Sequence, residues 1–130
     1  MYKRQPQAKE APFAEAPPGM LGLETCLPVV LEALDPERSR DSLDIAAVAL
    51  RLLSWQPARI ASLESQGLAL EAGNPANICV FDPAEQWVVD PVALASPAHN
   101  TPYGGRTLHG RVRHTIYRGE PVVISSEARR

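Results

Sequence analysis

Apolar residues recur through the middle of this chain at helical spacing and through its second half at alternating spacing, after a first stretch with no period. In that first stretch, residues 1–22, Pro6, Pro12, Pro17, Pro18, Gly19 and Gly22 break both helix and strand, which predicts a long loop. Met1 to Gln5 share no pattern with the rest of the chain. Leu23, Cys26, Leu27, Val30, Leu31 and Leu34 then fall on one helical face. Pro28 is tolerated if this helix starts near Thr25, a candidate N-cap, because proline is accepted in the first turn. Asp35 to Arg40 read as a charged turn, and Asp41 or Ser42 caps a second helix with the stripe Ile45, Val48, Ala49, Leu52 and Leu53. A short third helix comes next, with Pro57 at its first position and Ala58, Ile60, Ala61 and Leu63 leading to a turn at Gly67.

Beyond Gly67 the period becomes two. Gly73-Asn74-Pro75 predicts a turn, and Ile78 to Phe81 a short strand ended by Asp82-Pro83. Trp87 to Val89 suggest another strand, and residues 96–105 a loop. From Gly110 the chain alternates, with Val112, His114 and Ile116 on one face and Arg111, Arg113, Thr115 and Tyr117 on the other. A turn at Gly119-Glu120 and the strand Pro121 to Ile124 complete a hairpin, and a polar tail from Ser125 is expected to fray.

Composition narrows the partners. At 130 residues the chain has the size of about one domain, and a net charge of −2 argues against nucleic acid, which calls for a strong positive excess. No apolar run is long enough for a transmembrane helix, so no membrane partner is expected. Cys26 and Cys79 sit in apolar segments and read as buried thiols of a reducing cytoplasm. His99, His109 and His114 show no metal-like spacing and read as structural or solvated, and the run Arg106, Arg111, Arg113 and Arg118 as the solvated face of the hairpin.

Three segments carry a family resemblance. They are Pro17-Pro18-Gly19-Met20-Leu21-Gly22-Leu23-Glu24-Thr25, then Gly73-Asn74-Pro75-Ala76-Asn77-Ile78-Cys79-Val80-Phe81-Asp82-Pro83, then Asn100-Thr101-Pro102-Tyr103-Gly104-Gly105-Arg106-Thr107-Leu108-His109-Gly110-Arg111-Val112. In order and spacing they resemble the end of a class I dihydroorotase across residues 12–124. The middle segment is general to the amidohydrolases. The first and third narrow the resemblance to dihydroorotase, allantoinase and their relatives. Ala76-Asn77 stands where many members have Ala-Asp, a change that keeps a turn-competent residue.

The resemblance implies an α/β chain that is the C-terminal end of an amidohydrolase (β/α)8 barrel, contributing helices over residues 1–63, followed by strands of a small β-sandwich over residues 64–130. It implies reversible hydrolysis of the cyclic amide of dihydroorotate to N-carbamoylaspartate, in cytoplasmic pyrimidine biosynthesis. Zinc is the implied cofactor, because a bound zinc ion activates water and polarises the scissile carbonyl. The family's metal ligands and its proton-shuttling aspartate have no counterpart here, so no catalytic or metal-binding residue is assigned. Only the loop after the eighth strand carries over, and it assigns substrate contact to Pro18 and Gly19. The alternatives are an allantoinase or dihydropyrimidinase type of cyclic amidase, or a non-catalytic dihydroorotase-like subunit that scaffolds aspartate transcarbamoylase. Homo-oligomerisation is a further expected form of association. A fragment of this kind leaves its helical stripes partly wet, and each Leu or Val left unburied forgoes about 1.5–3 kcal/mol.

Overall fold

The computed structural model describes residues 10–12, 14–16 and 19–129. Helices come first and an antiparallel sheet lies after them in the chain. Helix α1 spans Cys26–Leu34, and helix α2 spans Ser42–Leu50. A π-helical turn, Arg51–Trp55, continues α2 directly into helix α3, Gln56–Ile60. Strands β1 (Ile78–Val88), β2 (Thr107–Tyr117), β3 (Glu120–Ile124) and β4 (Glu127–Ala128) form one sheet in sequence order, each antiparallel to the next.

The caps derive from local chemistry. Asp41 is the N-cap of α2, where its carboxylate accepts from the Leu43 backbone N–H at 2.7 Å. Thr25 holds the N-cap position of α1 without capping it: its hydroxyl turns back to the Gly22 carbonyl, and the residue is 2% exposed. The Asp35 carboxylate accepts from the backbone of Ser39 and Arg40, which closes the charged turn between α1 and α2. Its pKa is lowered, first by the Arg40 backbone bond.

Helices and sheet meet at Gly110. This residue has a φ of +90°, and a Cβ built on it would overlap Leu31 Cδ1 of α1. Only glycine lets the helix come so close to β2. Opposite Gly110 the partner strand is irregular. Asp82 pairs with Arg111 and Gln86 with His109, so three residues of β1, Pro83 to Glu85, bulge out against the single Gly110. The Asp82 carboxylate accepts from the backbone of Ala84 and Glu85 at 2.9 and 3.2 Å and holds the bulge. Trp87 then reaches back across the sheet to donate its indole N–H to the Gly110 carbonyl at 3.2 Å.

Several expectations change. The two short strands separated at Asp82-Pro83 are one strand, because the bulge places Pro83 where no ladder N–H is needed. The second helical stripe breaks at its end. Ile45 and Ala49 are buried, but Val48, Leu52 and Leu53 are exposed. The π turn inserts an extra residue per turn just before Pro57, whose missing N–H and bulky ring oppose a regular α ladder, and the inserted residue rotates the later positions off the face. On α1, Leu31 is buried while Leu23, before the helix, is 83% exposed.

Both cysteines are exposed rather than buried. Cys26 lies two positions before buried Pro28, on the far side of the helix. The Cys79 thiol is nonetheless pushed up by burial of its sulfur, partly offset by a hydrogen bond with Thr115. The tail does not simply fray: Ser125 and Ser126 both take positive φ and turn the chain back, so that Glu127–Ala128 pairs with β3.

The hairpin arginines are partnered. Arg111 and Arg113 converge on Glu85 at 3.6 and 2.7 Å, and Arg106 meets Glu32 at 2.9 Å. A cavity of about 190 Å3 lies between α1, the charged turn and the β1 bulge, lined in part by Leu31, Arg38, Arg40, Pro83 and His109. Desolvation, with the charge of Arg38 second, lowers the His109 pKa, against a smaller opposing pull from Glu32.

This packing generates three expected outcomes. Gly110→Ala is expected to destabilise the chain by about 2–4 kcal/mol through backbone strain and overlap with Leu31. Adding Leu31→Val should recover part of that loss in urea unfolding monitored by Trp fluorescence. On acidification, the unfolded state takes up a proton at the ordinary histidine value of 6.5 while folded His109 still resists it, so stability should fall as the pH drops below that value. A His109→Gln variant should show a shallower fall in urea midpoint between neutral pH and pH values below the histidine range. Finally, Leu52, Leu53, Trp55, Ile60 and Leu63 are all exposed on the segment from the π turn onward. The isolated chain is therefore expected to aggregate on heating, and a sharp, reversible calorimetric transition from a monomer would contradict this.

Candidate functional site

The candidate substrate segment begins at Gly19. Pro18, its expected partner in substrate contact, lies outside the described residues. Gly19 has a φ of +118°, a conformation L side chains rarely adopt, and a Cβ built on it meets nothing within 4 Å. Among the described residues its backbone therefore borders open space, as close approach by a ligand requires.

What holds this segment is distant in sequence. The loop between β1 and β2 lies along it and binds it at three points. The Asn100 side-chain amide donates from Nδ2 to the Gly19 carbonyl at 2.9 Å. The Leu21 backbone N–H donates to the Asn100 carbonyl at 3.3 Å. The Glu24 carboxylate accepts from the Ala95 N–H at 3.0 Å. Between these bonds Leu21, Leu94 and Ala98 form a small buried cluster, with Ala98 fully buried. A neighbouring hollow of about 340 Å3 runs from Glu24 and Leu94 across the sheet to Trp87 and Val112, but Gly19 is not among its lining residues.

The loop is itself well braced. Val89 exchanges backbone bonds with Arg106 and Gly105 at 2.9 and 2.8 Å, which closes the base of the loop. His99 Nδ1 lies 2.9 Å from the Pro91 carbonyl, and the Thr101 hydroxyl accepts from the Tyr103 N–H at 3.3 Å. Arg106 sits over the Tyr103 ring at 5.6 Å.

Asn100 is the residue that sequence reasoning did not single out. The first and third family segments read as separate signatures along the chain, yet the bond between Gly19 and Asn100 joins them. Their co-occurrence was the available signal. His99 is engaged within the loop, His109 lines the smaller cavity, and His114 Nδ1 lies 3.4 Å from the Ser125 N–H. The three histidines do not converge. Among the described residues no group of three or more His, Cys, Asp or Glu side chains could hold a metal ion, so the donor set present does not fit zinc. No helix among them is long and apolar enough to cross a membrane.

No protein-family model matches the chain. Individual relatives do. The chain is 42% identical to a dihydroorotase of Streptomyces coelicolor over 119 residues, which cover 92% of this chain and 27% of the relative. It is 44% identical to a dihydroorotase of Mycobacterium tuberculosis over 108 residues, covering 83% of this chain and 24% of the relative. The chain thus spans about a quarter of the length of the curated relatives it matches. Its structure resembles an L-hydantoinase (dihydropyrimidinase) from Arthrobacter aurescens, with a TM-score of 0.72 and 26% identity over 90% of this chain and 25% of that one. A D-hydantoinase shares the fold at a TM-score of 0.72 and 22% identity, over 98% of this chain and 27% of that one. With dihydroorotases as its sequence homologues over most of its length and hydantoinases as its structural neighbours, the chain belongs to the amidohydrolase family.

Proposed function

We propose that this chain is the closing segment of a dihydroorotase, serving the reversible hydrolysis of dihydroorotate's cyclic amide to N-carbamoylaspartate in cytoplasmic pyrimidine biosynthesis. The observation that carries this reading is 42% identity over 92% of the chain to a relative named dihydroorotase. The hydantoinases are similar at lower identity, which makes dihydroorotate the preferred ring over a hydantoin or dihydropyrimidine. In this reading residues 1–63 close the barrel and residues 64–130 supply strands to a small β-sandwich.

The chain's own part in the chemistry is placement. Pro18 and Gly19 form the edge of the substrate site, where an absent side chain lets the Gly19 backbone lie against the ring and a positive φ sets the direction of the peptide groups. The loop from Val89 to Arg106 keeps that edge fixed. Zinc in such an enzyme supplies an activated water and a polarised carbonyl. No group of side chains among the described residues could hold it.

The test is a chimera in which residues 12–124 replace the matching segment of the Streptomyces coelicolor relative. Ring opening of dihydroorotate is expected to persist, with no comparable turnover of hydantoin, dihydrouracil or allantoin. Gly19→Ala in the chimera should raise KM about tenfold, the value of roughly one hydrogen bond. A folded chimera that opens none of these rings contradicts the reading. Copurification of such an inactive protein with aspartate transcarbamoylase would favour a scaffold subunit instead.

A further inference from the structure

We propose that Asn100 is a positioning residue for the substrate edge, holding the Gly19 peptide in place through its side-chain amide. The inference rests on the reading of Gly19 as a substrate contact. Its basis is the geometry of one side chain that bridges two segments 81 residues apart.

Asn100 grips the segment twice. Its backbone carbonyl accepts from Leu21, and its Nδ2 donates to the Gly19 carbonyl. The first bond could be made by any residue at this position. The second needs a donor of this length. Because the Gly19 carbonyl can only accept, the amide orientation is fixed by its partner.

The other half of the amide makes no second bond within the described residues. Oδ1 of Asn100 is buried and has no hydrogen-bond partner among the described residues. A buried acceptor left unpaired opposes folding, and an apolar side chain beside the Leu21, Leu94 and Ala98 cluster would avoid that penalty. Asparagine fits here as the carrier of the Nδ2 bond.

The clamp takes hold of Gly19 by its backbone. Glycine at positive φ loses more backbone freedom on ordering than any other residue, and no described atom lies within 4 Å of the place where its side chain would be. Its peptide carbonyl is the handle that the loop takes. Anchoring that carbonyl fixes the peptide plane that the substrate meets, which is the pre-organisation that productive binding requires.

Two substitutions separate the side chain's role from the backbone's, since both keep the Leu21 bond. Asn100→Asp keeps size and an acceptor but loses the donor. Asn100→Ala removes the whole amide and with it the unpaired Oδ1. Hydrogen exchange read by mass spectrometry, in this chain and in the chimera, reports on the loop whether or not the protein is active. Exchange across residues 19–25 is expected to quicken roughly 5- to 30-fold in both variants, the range for losing one such bond. Ser42–Leu50 and Thr107–Tyr117 should be unchanged.

In the chimera KM for dihydroorotate should rise while kcat moves less than about twofold, as expected when ground-state placement is lost. Unchanged exchange at 19–25, or an equal rise across the whole chain, overturns the proposal. Faster local exchange with an unchanged KM would show that Asn100 holds the loop but that the Gly19 peptide is not a substrate contact, which overturns the reading beneath it.

Discussion

Leu31 of α1 packs its terminal methyl on the bare backbone of Gly110, and the rest of the structure is arranged around that contact. Leu31 occupies the space a Cβ would need, and the α carbon of Pro28 comes within 3.9 Å of it. The helix can therefore seat its buried face directly on the backbone of β2. Behind it, Leu31, Ile45 and Ala49 bring α2 into the same cluster, so the spacing at one residue governs both helices. A side chain at 110 would have to displace the Leu31 methyl and disturb the packing that Leu31 shares with Ile45 and Ala49.

The strand opposite adapts to the same point. With three residues of β1 facing one of β2, the ladder loses its regular bonds at Gly110 and replaces them with side-chain bonds. Asp82 caps the bulge from within, and the Trp87 indole takes the Gly110 carbonyl. Glu85 is carried by the bulge to where Arg111 and Arg113 reach it, with its side chain only 16% exposed. Arg111 also lies over Trp87 at 5.5 Å, so charge and aromatic contacts brace one irregularity together. A bulge that turns a strand and re-aims its side chains here allows one strand to serve both the helix contact and the loop that begins after Val88.

How much of this the sequence disclosed depended on whether the determining contact was local. The Asp41 cap rests on neighbours in sequence and appeared where expected, and the hairpin turn fell one residue earlier than expected, at Arg118 and Gly119. The strict alternation expected along β2 is broken, because irregularities in its pairing with β1 and β3 leave half-buried and exposed positions in pairs from Arg111 onward. Asp82-Pro83 misled because a proline stops a strand only where the ladder needs an N–H, and here the bulge opposite distant Gly110 needs none. Leu52 and Leu53 misled because helical periodicity assumes a constant turn, which the π turn before Pro57 interrupts. The cysteines sat among apolar neighbours, but burial is set by which face meets the sheet, and Cys26 falls opposite Pro28. Gly19 was legible as a backbone position. Its support was not, because nothing about Asn100 within its own loop indicates a bond across 81 residues.

That separation between Gly19 and its support is what a backbone position of this kind requires, and it needs no metal-binding cluster among the described residues. A residue that donates no proton and binds no ion can fix the position of a peptide group. Asn100 binds the Gly19 segment through both its side chain and its backbone. The loop that makes these bonds is closed at its base by Val89 and joined to the sheet through β1 and β2. The sheet in turn takes its place from Gly110 beneath α1, the helix that begins two residues after Glu24. The path from Gly19 through Asn100, the loop, the sheet and α1 therefore closes on itself, and a segment that starts in a loop is held at both ends by the same packed contact.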